Sequence, residues 1–285
     1  MKIKNLILAA VVLFTALFIT IITYFAAFTV TVIIGDVNVT EPGTASVNQG
    51  IFNLFRYILS FTVFGFWYSR IKSSSFFDED YRKRLRSQFH PVLIILMLIL
   101  GFAIQICTDG VLYVLSKQFP ESMESYNSLM AEFLGAKSVL FIITAVFMAP
   151  IVEELIFRGL ILHYCRLFTG SDKDQLENRN YTLYLIIANL LQALFFGLYH
   201  GNWIQGTYAF IFGILLGFIA IKTDSLMICT LLHIIINGSL YIVSEELFTD
   251  VPKAYLISFI AFIVLVLSYT LLLIFLSRKT PHKNN

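Results

Sequence analysis

Apolar residues fall in eight long runs, at about 6–34, 50–69, 91–115, 138–164, 182–200, 203–221, 226–244 and 254–277, with short polar segments between them. A helix that crosses the hydrocarbon core of a bilayer needs roughly 20 predominantly apolar residues, and each run is of that order. The runs lack the alternation of a barrel strand. Inside lipid a helix satisfies its own backbone donors and acceptors. The pattern therefore predicts an all-α fold, a polytopic membrane protein built as a bundle of eight transmembrane helices. The breaks at 200–203 and 222–225 leave room only for helical hairpins. The first run follows "MKIKN", a start like that of a signal peptide, but it far exceeds the roughly 7–15 apolar residues of a signal core and predicts a retained helix.

Composition agrees. Of 285 residues, 58% are hydrophobic and 13% charged, with a mean hydropathy of +0.80; a soluble domain carries about 25% charged residues. Charge placement then sets orientation, because lysine and arginine collect on the cytoplasmic side. With the N-terminus inside, the inner segments hold fifteen of the twenty basic residues, among them Arg70, Lys72, Arg82, Lys83, Arg84 and Arg86. The outer segments hold three, Lys117, Lys137 and Lys253. Both termini are therefore expected in the cytoplasm. The basic loop at 70–90 is a topology determinant lying near anionic headgroups. The outer loop around 117–137 has the pattern of a short amphipathic helix with Leu129, Met130 and Phe133 on one side. Cys107, Cys165 and Cys229 are widely spaced and read as small apolar residues. There is no basic, aromatic-interleaved patch for nucleic acid, no phosphate-cradling loop and no internal repeat, so the expectation is one integral-membrane domain over 1–285.

Polar groups inside the runs carry the functional signal, because an ionised side chain at a helix centre costs roughly 2.5–3.5 kcal/mol on the insertion scale. Arg56 is near the outer end of its run and can snorkel. Asp109 is near the outer end of the third, where a wet or capping role is expected. Three clusters cannot escape so easily. In "APIVEELIFRGL", Glu154 and Arg158 are four apart, the spacing of a helical ion pair. Glu153 is rotated by about 100° and left to point elsewhere, and Pro150 should kink or restart the helix just before them. "FFGLYHG" carries His200 four residues after Phe196, with Gly197 and Gly201 at a spacing that lets helices approach. "LLHIIINGSL" places His233 and Asn237 four apart on one face.

Together these supply a carboxylate, two imidazoles and an amide on neighbouring helices. A carboxylate in a poorly hydrated cavity suits general base and then general acid work. One histidine can hold a water, and the other, with Asn237, can donate to an oxyanion. That suffices to hydrolyse an amide without a serine or cysteine nucleophile. Glu153, His200 and His233 equally make three zinc ligands with a fourth position for water. No HExxH is present, and both chemistries stay open.

The three clusters resemble the motifs of the CPBP family of intramembrane proteases, also called Abi or CAAX-protease-like. Its EExxxR, FxxxH and HxxxN motifs stand here at Glu153, Glu154 and Arg158, at Phe196 and His200, and at His233 and Asn237. The resemblance covers about 138–245, a catalytic core preceded by three transmembrane helices in 1–137. It implies an endopeptidase that cuts a membrane-associated, hydrophobic or lipid-anchored peptide or protein. Glu153 would activate water with His200, His233 and Asn237 would stabilise the oxyanion, and Glu154 and Arg158 would support the site. Family members are described both as metalloproteases and as metal-free glutamate enzymes, and the metal-free form is preferred here. Bacterial members are linked to bacteriocin immunity, leader-peptide maturation or signal processing. The Ile-, Phe- and Lys-rich usage fits a low-GC bacterium and its cytoplasmic membrane. The rival readings are a non-catalytic immunity protein on the same scaffold and a proton-coupled transporter, which would call for inverted repeats. Counted from 182, His200 falls near the outer face; if the fifth helix starts in the cytoplasm, with Tyr181 and Tyr184 at the headgroups, it sits deeper.

Overall fold

The structure, a computed structural model, describes residues 2–34, 44–71, 90–135, 139–171, 180–243 and 247–279. Nine helices are seen among them: α1 Lys2–Ile34, α2 Thr44–Ile71, α3 Pro91–Gln118, α4 Pro120–Gly135, α5 Val139–Thr169, α6 Tyr181–Tyr199, α7 Trp203–Thr223, α8 Leu226–Ser239 and α9 Val251–Lys279. No strand occurs among the described residues. The protein is thus an all-helical, multi-pass membrane protein, with seven helices long and apolar enough to cross a bilayer.

The expected run at 226–244 differs in length. Its helix, α8, has 14 residues, about 21 Å at 1.5 Å per residue, and the chain turns after Ser239. The amphipathic outer segment is helix α4. Its described buried side chains are Met123 and Tyr126, one turn apart, whereas the side chains of Leu129 and Phe133 lie outside the described residues. The basic loop, residues 72–89, is also outside them.

Helix ends follow local chemistry. Pro91 opens α3, where a missing N–H costs nothing, and the His90 ring nitrogen accepts from Val92 N at 3.2 Å. Asn202 Oδ1 accepts from Ile204 N and Gln205 N at the start of α7. Ser225 caps α8 through Ile228 N. Gly170 closes α5 in the left-handed region, φ 80°, which glycine enters without a Cβ penalty.

The chain folds as two compact units, Met1–Ile71 with Ser128–Phe218, and Lys72–Asn127 with Ile219–Asn285. In the first, α5 is the centre: α1, α2 and α6 all pack against it. In the second, α3 packs against α8 and α9. Gly101 is what lets α8 close on α3, since a Cβ there would collide with Ile235.

Helix α5 is not a uniform α-helix. It passes through π turns at Thr144–Met148 and Leu155–Ile161, and between them runs the α-helical segment Ala149–Glu154. The first answers the proline. Pro150 has no N–H, and its ring would press on a carbonyl one regular turn back. Ala149 N–H instead reaches the Thr144 carbonyl, five residues back, which widens the spiral at that point. The expected kink takes this form. π turns of this kind recur at functional sites, and here two of them bracket the paired glutamates.

Candidate active site

Glu154 and Arg158 form the ion pair that their spacing predicts. Arg158 Nη1 donates to Glu154 Oε1 at 2.8 Å, with neither side chain exposed. Arg158 Nη2 also points to the Gly213 carbonyl at 3.5 Å, and the guanidinium lies over the Phe196 ring, 4.5 Å from its centre. A dry charge held by a carboxylate and an aromatic face is matched on two sides. Glu154 therefore serves the packing of α5, and Glu153 is the more accessible of the two, half-buried where Glu154 is fully buried.

Phe196 joins this pair to the histidine. Its ring meets Arg158 and also the His200 ring, edge on at 4.9 Å. Phe157, one residue before Arg158, packs on both Phe196 and Tyr199, at 4.9 and 5.4 Å. The four-residue spacing from Phe196 to His200 thus keeps one aromatic platform under an arginine and an imidazole. His200 Nδ1 lies 2.9 Å from the Phe196 carbonyl. A carbonyl only accepts, so Nδ1 carries a proton, and in a neutral ring Nε2 is then the acceptor nitrogen. That tautomer is the one able to hold a water through its hydrogen. Helix α6 begins at Tyr181, one residue before the apolar run read from the sequence.

Glu153 is half-buried. Tyr57 of α2 and Tyr199 of α6 both lie within electrostatic reach of its carboxylate. Tyr199 shares a hydrogen bond with Thr20 of α1, whose own proton goes to the Ala16 carbonyl. Arg56 does not snorkel away as its place in the sequence led us to expect. Its Nη2 donates to Tyr57 at 2.7 Å, and its guanidinium lies 4.5 Å from the Tyr57 ring and 5.8 Å from that of Tyr24.

Sequence reasoning passed over a buried amide pair. Asn189 and Gln192, at 1% and 0% exposure, face α7. Gln192 Nε2 donates to Asn189 Oδ1 and to the Gly213 carbonyl, each at 2.8 Å, and Asn189 Nδ2 donates to the Ile214 carbonyl at 3.0 Å. Gly213 O thus receives both Gln192 and Arg158. Two amides three apart in an apolar helix carry the signal that singled out His233 and Asn237, and it went unused. Close approach makes these bonds reachable: a Cβ on Gly213 would stand 2.9 Å from Ala193 Cα, and one on Gly197 would stand 2.7 Å from the Gly206 carbonyl. Gly197 therefore has the packing role its spacing suggested. Gly201 does not: nothing stands near it, and its φ of +68° marks the turn after α6.

His233 and Asn237 belong to the second unit. They stand one turn apart on α8, His233 buried at 7% exposure and Asn237 half-buried. In the same unit Asp109 accepts from Gln105 Nε2 at 2.7 Å; this side-chain partner replaces the capping role expected of it. Cys107, Cys165 and Cys229 are free thiols. Among the described residues no group of three His, Cys, Asp or Glu side chains is placed to hold a metal ion.

A membrane-embedded helical core with a buried Glu–Arg pair, a second glutamate and a histidine oriented by its own helix defines the class, a polytopic membrane protein with an intramembrane polar site. Residues 135–239, which are 105 of the 285, match the family model described as Type II CAAX prenyl endopeptidase Rce1-like, so this segment is similar to the CPBP/CAAX proteases. All six candidate site residues lie inside the matched segment. That is a protease family, and it implies a bilayer setting and a peptide substrate. No curated protein and no solved structure matches the chain.

Proposed function

We propose that the protein is an intramembrane endopeptidase that hydrolyses a peptide bond in a hydrophobic or lipid-anchored peptide, with Glu153 as the base that activates water. The observation that carries this reading is the division of labour between the adjacent glutamates. Glu154 is committed to Arg158 at 2.8 Å without exposure, while Glu153 remains half-buried beside phenols. On this reading the second is the proton-transfer group, a role that needs hydrogen-bond reach of the reacting water.

In the proposed reaction Glu153 takes a proton from a water whose other hydrogen is held by His200 Nε2. The resulting hydroxide attacks the scissile carbonyl. By motif position, His233 and Asn237 donate to the oxyanion that forms. Collapse of the tetrahedral intermediate breaks the C–N bond, and the proton on Glu153 passes to the leaving amine. Water is consumed, a carboxylic acid and an amine are released, and the glutamate returns to its starting state. The same residue acts as base and then acid, for which an environment poor in water is suited. The chain's own residues supply every step. Location in a bacterial cytoplasmic membrane and a role in immunity, leader-peptide maturation or signal processing belong to this same reading.

The experiment is membrane peptidomics of cells carrying wild-type protein or Glu153→Gln. A hydrophobic peptide that accumulates uncut in the variant, and is cut by purified wild-type protein in liposomes, is the expected result. Identical peptide profiles, with the wild-type phenotype retained by the variant, would leave a binding role instead and overturn the enzyme reading.

A further inference from the structure

Helix α6 has two unlike faces. Leu183, Ile187, Leu190, Leu194 and Leu198 recur at steps of three and four residues and are exposed, a stripe suited to lipid. On the opposite side stand Gln192, Phe196 and His200, each one turn on from the last. Lipid tails are as apolar as leucine, so burial exerts little preference over how such a helix is rotated about its axis. Directional polar contacts have to set that angle, and they sit at Gln192. Its amide is fully buried, and Nε2 donates to the Gly213 carbonyl of α7 and to Asn189 Oδ1, each at 2.8 Å. Asn189 Nδ2 continues to the Ile214 carbonyl at 3.0 Å. Two successive carbonyls of α7 are thus held by two side chains of α6. Gly217 permits the approach, because a Cβ there would collide with Asn189 Oδ1.

The angle bears on the site through Phe196. The His200 ring is tied to Phe196 twice, by Nδ1 on its carbonyl and edge on against its ring, so the two move as one body. Phe196 in turn meets α5 at Arg158 and Phe157. The Gly213 carbonyl is also shared. Gln192 takes it at 2.8 Å and Arg158 Nη2 points to it at 3.5 Å. Occupied by the amide, it competes less for the guanidinium, which stays with Glu154. We infer that Gln192, braced by Asn189, is a positioning residue for His200: it fixes the rotation of α6 at which Phe196 meets Arg158, and so where the imidazole stands relative to α5. The arrangement explains why an apolar helix keeps two buried amides one turn ahead of the FxxxH motif.

The inference rests on the reading of His200 as the residue that holds water, and one arm of its test needs no activity. Full-length protein in nanodiscs carries 4-fluorophenylalanine at position 196, whose fluorine resonance reports the guanidinium beside that ring. Arg158→Met calibrates the shift. Gln192→Met, close in shape but without a donor, should move or split the resonance. Gly110→Ala in the second unit, where a Cβ would collide with Ser258 Oγ, should lower Tm and leave the resonance in place. A wild-type resonance in Gln192→Met overturns the inference. If Gln192→Met does not fold, Asn189→Ala decides it in the same spectrum, where an unmoved resonance again overturns it. In a peptide-cleavage assay, Gln192→Met should lower kcat by as much as ~100-fold, the cost of misplacing a group by ~1 Å, with KM unchanged. Adding Asn189→Ala should take little more, since the two amides act as one brace. A kcat equal to that of Gly110→Ala, or a fall carried by KM, overturns positioning as well. The two ideas fail separately. A His200→Ala variant that still cleaves removes the histidine reading, while the resonance still judges the angle of α6. An inactive His200→Ala, with resonance and kcat unmoved by Gln192→Met, removes positioning alone.

Discussion

The Glu154–Arg158 pair makes the sharpest quantitative demand on the fold. Both side chains are fully buried and the contact is 2.8 Å, so replacing Arg158 by methionine leaves a carboxylate in a dry interior. Breaking a buried pair by removing one partner costs about 3–5 kcal/mol, because the survivor is uncompensated. Loss of the guanidinium from the Phe196 face at 4.5 Å adds about 2 kcal/mol where desolvated, partly returned by the methionine sulfur against the same ring. The 3.5 Å contact to Gly213 O is too long to add much. A loss of about 3–5 kcal/mol corresponds to an apparent Tm lower by ~6–20 °C. Removing both charges has the opposite logic, since an apolar replacement of a whole buried pair is often neutral or better. Glu154→Gln combined with Arg158→Met should therefore recover most of the loss. Intrinsic-fluorescence unfolding of the nanodisc-embedded protein measures both. An Arg158→Met variant within ~2 °C of wild type would refute the burial argument, as would a double variant no better than the single one.

Other consequences follow from the same geometry. Gly197→Ala should destabilise by about 1–3 kcal/mol, because its Cβ would stand 2.7 Å from the Gly206 carbonyl; Gly65→Ala, with nothing within 4 Å, should be neutral or stabilising by up to about 1 kcal/mol. Thermal unfolding of the two side by side checks the helix approach, and equal shifts would contradict it. Gln192→Leu should cost about 1–3 kcal/mol by stranding Asn189 Oδ1 and weakening the hold on Gly213 O, read by the same melt. Glu153→Gln and His200→Ala should each abolish cleavage of a reconstituted peptide while shifting Tm far less than Arg158→Met. On the metal-free reading, dialysis against a strong chelator should leave the cleavage rate unchanged; loss of rate restored by zinc would favour the metallo alternative instead.

Hydropathy alone located the helices to within a few residues, because the cost of exposing backbone to lipid leaves no other structure for long apolar runs. It overestimated the run at 226–244, where apolar residues continue past Ser239 while the backbone turns. The ion pair was legible because two residues four apart on one helix must meet. The π turns were not, since the step from four- to five-residue backbone bonds leaves no mark on side-chain periodicity over so short a stretch; Pro150 was the only hint. Asn189 and Gln192 were legible in principle, being amides where lipid or core should demand carbon.

Arg56 shows where such reading stops. A basic residue near a span end satisfies the rule for snorkelling, and nothing local to 50–60 opposes it except Tyr57. The groups that hold it come from two helices, Tyr24 on α1 and Tyr57 on α2, so its placement is decided by tertiary packing. The same packing changes the meaning of the "EE" dipeptide. In sequence the two glutamates differ only by a rotation of about 100°. In the fold one faces an arginine of its own helix and closes a dry pair. The other is half-buried, within electrostatic reach of Tyr57 and Tyr199. An acid neutralised by direct contact is stable but occupied. The proposed reading therefore gives the base role to Glu153, half-buried where Glu154 is closed into its pair.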